Sequence, residues 1–254
     1  MNTETGCLVC GRPIVYSTQS ATYACSLCGG SFEANAVCEE GHYVCDKCHS
    51  SARTGETAPG VFVGQGNKED APLQPVPGEE GFLGLIRATD ERDPGRIFRR
   101  VVSLESVHMH GPEHHSIVPC VMLAAYRNNG GDIDFEAAIG EAAERGGKVP
   151  GGICGFWGAC GAAIGAGIFA SVMIGSTPYN DEAWGAPQQL TARCLEKIAA
   201  VGGPRCCKRT SRIAIEACTL FAKERYGVEI PLEDFRCIHH TVNKECIHER
   251  CPYY

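Results

Sequence analysis

The stretch Val107–Ile117, VHMHGPEHHSI, places His108, His110, His114 and His115 around Glu113, in a chain of 254 residues that has only 9 histidines. Near neutral pH an imidazole serves as a metal ligand or as a proton carrier, and a neighbouring carboxylate can assist either task. Two readings follow. His108, His110 and His114 form an open metal site with Glu113, or the histidines act as acid–base partners to a thiol elsewhere. Candidate thiols are plentiful, because the chain contains 17 cysteines.

The segment Gly202–Arg209, GGPRCCKR, is the first of these. Pro204 suits the opening turn of a helix, so Cys206 and Cys207 sit at or near its N-terminus. Unpaired amides, the helix dipole and the charges of Arg205, Lys208 and Arg209 all favour thiolate there. Both thiols are therefore expected to be more acidic than an ordinary cysteine. Gly151–Gly167, GGICGFWGACGAAIGAG, adds Cys154 and Cys160. Gly158, Gly161 and Gly165 leave one helix face bare, open either to a neighbouring helix or to a cofactor. The tail from Arg236 to Tyr254, RCIHHTVNKECIHERCPYY, carries Cys237, Cys246 and Cys251 with His239, His240 and His248. Its three cysteines resemble iron–sulfur ligation with room for a fourth ligand from elsewhere; a small zinc site and a bare structural staple are the alternatives.

The first fifty residues hold the most specific spacing. CLVCG (Cys7, Cys10) and CSLCG (Cys25, Cys28) are two zinc knuckles, followed by CEEGHYVCDKC with Cys38, His42, Cys45 and Cys48. Eight such ligands fill two closed tetrahedral sites, the form of structural zinc. Sequential pairing takes the ligands four by four along the chain. Cross-braced pairing joins Cys7 and Cys10 to Cys38 and His42, and Cys25 and Cys28 to Cys45 and Cys48. A second sequential site inside the short CEEGHYVCDKC stretch would be tight, so cross-bracing is favoured.

The elements that must carry these residues divide the chain into a zinc-binding module (1–50), a Gly- and Pro-rich linker (51–80) and a main domain (81–254). The main domain reads as mainly α. Helical spacing or Pro and Gly brackets mark Asp90–Leu104, Pro119–Asn128, Asp134–Arg145, Trp157–Ile174, Pro187–Val201 and Pro204–Tyr226. No alternating strand pattern appears beyond residue 50. Ile153–Gly175 is long enough to cross a bilayer, but it is rich in Gly and Ala and lacks flanking anchors, so a buried helix is expected. A formal charge of −7 argues against bulk nucleic-acid binding. The start, MNTETGCLVC, lacks the pattern of a secretory signal, and C-x-x-C pairs suit metal in a reducing compartment; a cytoplasmic location is expected. No P-loop or Rossmann fingerprint is present.

HGPEHH, GACGAAIGAG, STP and GGPRCCKR together resemble a domain family of unassigned function found in methanogens and sulfate reducers. CGAAIG followed by CC is also distantly similar to the redox-active C-GCAxxG-C-C proteins of anaerobes, with C-G-A in place of G-C-A. The resemblance covers most of 81–254 and implies redox or metal chemistry, with radical-SAM or methyltransferase proteins as partners. The combined expectation is a metallo-thiol protein of an anaerobe that acts in redox or sulfur transfer on a small-molecule or protein substrate. Cys206, Cys207 and Cys160 with Glu113, His114 and His115 are its candidate catalytic groups. Cys154, Cys160, Cys206, Cys237, Cys246 and Cys251 are the candidate ligands of an iron–sulfur cluster, unless the site is a metal-free dithiol. A metal carrier and a zinc-dependent adaptor are the alternatives.

Overall fold

The computed structural model of the chain describes Cys7 and residues 13–25, 31–46 and 81–254. They belong to two compact units that divide between Glu69 and Asp70. The expected linker, 51–80, lies outside the described residues.

In the first unit, β1 (Ile14–Ala24) pairs antiparallel with β2 (Ser31–Cys38), from Ile14 opposite Cys38 to Ala24 opposite Ser31. An isolated parallel bridge joins Cys25 to Tyr43. A two-stranded ribbon is marginal in water, and this one is mostly exposed. The buried hydrophobic positions among its described residues are Cys7, Cys25, Cys38 and Cys45. Sulfur occupies the place that aliphatic side chains would fill in a larger core.

The second unit is helical, as expected: α1 (Phe82–Ala88), α2 (Pro94–Val101), α3 (Glu113–Asn128), α4 (Phe135–Gly147), α5 (Ile153–Phe156), α6 (Gly161–Ile174), α7 (Gly185–Val201) and α8 (Cys207–Tyr226). Asp93 and Asp134 start α2 and α4 by accepting backbone N–H groups, from Gly95 at 2.6 Å and from Ala137 at 3.2 Å. Helices α3 and α6 form the centre. Each packs on the other and on α4 and α8, while α2 joins α3 and α7 joins α6. Ile117, Met122, Leu123, Ile139, Phe169 and Ile215 fill the space between them, fully buried. Cys120, Cys194 and Cys218 are buried there too and behave as small apolar residues. Burial pushes the thiols of Cys120 and Cys194 up to about 12.

Helix α3 departs from the sequence expectation. A break before Pro119 was anticipated, yet the helix begins at Glu113 and runs through that proline. Proline brings no N–H, so the His115 carbonyl, four residues earlier, loses its helical donor. Gly165 of α6 packs against that spot: a Cβ there would lie 2.8 Å from the His115 carbonyl oxygen and 3.1 Å from Pro119. At Gly161 a Cβ would fall 2.1 Å from the His115 ring. The bare face at Gly161 and Gly165 thus serves close packing of α6 on α3. One smaller expectation also shifts: helix α6 starts at Gly161, after the short α5, and not at Trp157. No described helix is long and apolar enough to cross a membrane.

Candidate metal and thiol sites

Within the first unit, the ligand atoms of Cys7, Cys38 and His42 all lie within 4.8 Å of one another. Cys38 Sγ is 3.4 Å from His42 Nδ1 and accepts the His42 backbone N–H at 3.3 Å. Separately, Cys25 Sγ accepts the Cys45 N–H at 3.3 Å. Cys7 therefore meets the pair 38/42, and Cys25 meets Cys45, which is the alternating order of a cross-braced arrangement. Cys10, Cys28 and Cys48 lie outside the described residues.

Within the second unit, the start of α8 and the tail after it line one partly open cavity of about 20 Å³. Cys206, Cys237, Cys246 and Cys251 all line it, together with Lys208, Arg209 and Asn243. Three of the four sulfurs accept hydrogen bonds of the kind that thiolate ligands use. His239 N–H reaches Cys237 at 3.4 Å, His248 N–H reaches Cys246 at 3.4 Å, and the Asn243 amide reaches Cys206 at 3.5 Å. The backbone at His248 is left-handed, with φ 48°, a conformation that costs about 1 kcal/mol outside glycine. No three of these thiols come within 4.8 Å of one another. A closed zinc site, with Zn–S near 2.3 Å, needs sulfurs about 3.8 Å apart. The frame is wider than that. No disulfide joins any of these cysteines, or Cys154, Cys160 and Cys207.

Cys154 and Cys160 do not line the cavity. Cys154 is exposed before the loop to α6, and Cys160 is the residue on which α6 begins. Cys207 also turns away from the tail. Its backbone N–H meets His110 Nδ1 at 3.4 Å, and its thiol lies on the side of Gly111. The expected acidity of the CC pair is reversed. Burial pushes Cys206 up and Cys207 up to about 12, outweighing the donated N–H groups and the nearby arginines. Helix-end charge is a surface effect of modest size, whereas desolvation of a thiolate is large.

The four histidines do not converge as one ligand set; the Cys7–Cys38–His42 group alone meets that geometry among the described residues. His108 pairs with Glu113, Nδ1 to Oε1 at 3.3 Å, and its backbone N–H reaches the same oxygen at 2.8 Å. His114 Nδ1 lies 3.1 Å from the Gly111 carbonyl and His115 Nδ1 lies 3.1 Å from that of Val149. A carbonyl only accepts, so both rings carry the proton on Nδ1 and keep Nε2 as an acceptor. His114 Nε2 faces the Lys208 ammonium at 3.4 Å, and Lys208 also donates to the His108 carbonyl. His110 has the opposite tautomer: Nδ1 accepts from Cys207, and Nε2–H points to Asn243 Oδ1 and Glu245 Oε2, each at 3.0 Å. The motif thus ties three helix starts and the tail together. Lys208, 2% exposed, and Asn243, 7% exposed, are central to this and carried no sequence signal beyond their proximity to cysteines.

The structure supports neutral imidazole at His110, His114 and His115. Burial, then the Lys208 charge, holds His114 well below its ordinary value, and burial lowers His110 and His115. An unfolded chain protonates these rings at about pH 6.5. Below that pH the unfolded state binds more protons, so stability is complete above it and is lost on acidification. The urea midpoint should fall between pH 7 and pH 5, each neutral ring weakening the folding constant by up to about tenfold per pH unit. His114→Gln should flatten that slope; an unchanged slope would contradict the assignment.

A helical domain that gathers four thiols from one helix start and one tail around a single cavity is a candidate metal-thiolate domain. Over residues 83–254 the chain matches the model of DUF5714, a family of unknown function, and belongs to that family. No curated protein and no solved structure matches.

Proposed function

We propose that the 83–254 domain is a redox protein that holds an iron–sulfur cluster on Cys206, Cys237, Cys246 and Cys251. The observation that carries this reading is the set of four thiols on one cavity wall, spaced too widely for closed zinc and served by N–H donors. Cys206 supplies the fourth ligand that the tail alone lacks. A cluster with all four positions taken by protein exchanges electrons and offers no open iron, which favours electron transfer over sulfur transfer. Lys208 and Arg209 on the same wall offset the negative charge of four thiolates. The N-terminal unit holds two structural zinc ions in cross-braced order, with Cys10, Cys28 and Cys48 completing the sets. Such chemistry suits the cytoplasm of an anaerobe. The family resemblance points to a radical-SAM or methyltransferase protein as the partner.

The deciding experiment is anaerobic purification followed by metal analysis and an absorption spectrum of the same sample. About two zinc and about four iron atoms per chain, with a broad band at about 400 nm, are expected. Zinc alone with no chromophore would overturn the cluster and leave a zinc-dependent adaptor.

A further inference from the structure

The three hydrogen-bonded sulfurs of the cavity do not take their donors alike. Cys237 and Cys246 each accept the backbone N–H of the second residue after them, which most side chains at 239 or 248 would leave in place. Cys206 accepts a side chain, the Asn243 amide, at 3.5 Å. Asn243 belongs to the loop between Cys237 and Cys246. Its backbone N–H returns to the His239 carbonyl at 2.9 Å, and its own carbonyl accepts the Cys246 N–H at 3.1 Å. The side chain is buried. An amide has two ends, and the neighbours decide which one faces the sulfur. The Glu245 backbone N–H, which can only donate, reaches Oδ1 at 3.0 Å. His110 Nε2 reaches the same oxygen at 3.0 Å and carries its proton there, because Nδ1 accepts from Cys207. Two donors thus hold the oxygen, and the NH2 group is left to Cys206. Glu245 Oε2 braces His110 Nε2 at 3.0 Å. The histidine segment therefore reaches the sulfur site through one amide, without supplying a ligand.

We propose that Asn243 is a positioning residue that sets the reduction potential of this site, its amide hydrogen bond to Cys206 Sγ favouring the reduced form. That role rests on the cluster reading above. One electron entering the cluster from a one-electron donor spreads negative charge onto the thiolate ligands; no bond of Asn243 breaks and no proton moves. An N–H aimed at a ligand sulfur is worth more to the more negative state, so it raises the potential. The backbone donors to Cys237 and Cys246 are fixed by the course of the chain, whereas the amide is a donor that a substitution can remove. His110 and the Glu245 N–H keep that amide from turning over.

The test is a potentiometric titration of the full chain, purified anaerobically, with iron counted and the reduced cluster read by electron paramagnetic resonance. Asn243→Leu, of nearly the same shape, removes the donor without adding a charge. Asn243→Asp keeps the oxygen with its two donors and puts a second oxygen where the NH2 group stood. Both variants should keep the iron content and the absorption of the wild type. At the wild-type midpoint, the ratio of reduced to oxidised cluster should fall about tenfold in Asn243→Leu, a midpoint lower by about 59 mV for one electron. Asn243→Asp should lower it further. A merely structural role moves neither midpoint. An unmoved midpoint in Asn243→Leu would overturn the role, whatever Asn243→Asp does. Loss of iron from a folded Asn243→Leu would overturn it as well, since Asn243 would then hold the ligand in place and not tune it. Circular dichroism checks the fold; if the leucine variant does not fold, Asn243→Ala is titrated in its place and read the same way. A wild-type chain without iron would remove the cluster reading and this role together, whereas a loaded wild type with an unmoved variant midpoint removes the role alone.

Discussion

Cys206→Ser should strip iron from the protein while Cys207→Ser, one residue on, retains it. The serine at 206 keeps the helix start intact, so the helical signal in circular dichroism should not change. It removes the only cavity cysteine contributed by a helix; the other three belong to the tail. Iron should drop from about four atoms per chain to less than one, and the absorption at about 400 nm should vanish. Zinc, held in the separate N-terminal unit, should be unaffected. The tail itself should then loosen. Apart from one turn of 3-10 helix at His248–Arg250, residues 233–254 have no regular structure, and few of their side chains are fully buried. Metal-bound thiolates would account for much of their order. Trypsin should cut after Arg236 and Lys244 in Cys206→Ser and spare both in Cys207→Ser. Equal iron in the two variants would refute the division of the CC pair.

Arg212→Ala should cost about 3 kcal/mol of folding stability, the scale for removing one partner from a buried charged network. Arg212 is 3% exposed inside α8. Its Nη2 donates to the Glu233 carbonyl at 2.7 Å, its Nε to Glu216 at 3.3 Å, and its guanidinium lies 5.2 Å from the Phe235 ring. Gly95 leaves it room, since a Cβ there would stand within 1.9 Å of Nη1. Around it, Asp93 accepts the Glu233 N–H at 2.8 Å, and the Tyr253 hydroxyl donates to Glu216 at 2.9 Å. This network delivers the tail to the cavity. Without the guanidinium, the Glu233 carbonyl loses its charged donor, while the partly exposed Glu216 carboxylate keeps only the Tyr253 hydroxyl and water. Lysine should not rescue the loss, because a single ammonium cannot address two acceptors and a ring at once. Urea unfolding measures the effect, and a loss below about 1 kcal/mol would place the anchor of the tail elsewhere.

Much of the helical frame was legible because its punctuation is local. Asp134 and the Gly-Gly after Arg145 bracket α4, and Pro and Gly bracket α7 and α8 closely. Pro119 misled because proline within a helix is disfavoured only when the orphaned carbonyl has nothing to face. Here the bare backbone of Gly165 faces it, on a helix forty-odd residues away in the chain. The cysteines of the cavity were individually visible, but their grouping was not. No spacing rule says that residue 206 joins 237, 246 and 251 while 207 turns toward Gly111. The histidines were over-read for the same reason. Their number suggested one metal site, whereas tautomer by tautomer each is spent on a different partner: a carboxylate of the same motif, a tail side chain or a backbone carbonyl. Lys208 was read only as a charge beside the thiols and Asn243 not at all, because an ordinary lysine and an ordinary asparagine look alike whether solvated or buried.

The CC boundary also sets a limit on what insertions the domain can tolerate. One residue added between Cys206 and Cys207 would swing everything beyond it by about 100° and advance it about 1.5 Å. Cys207, Lys208 and Arg212 would then leave Gly111, His114 and Glu233 together. The same residue added before Gly202 would be absorbed by the turn that precedes the helix. Length variation among relatives of this chain should therefore collect in the approach to the helix and be absent between its two adjoining thiols.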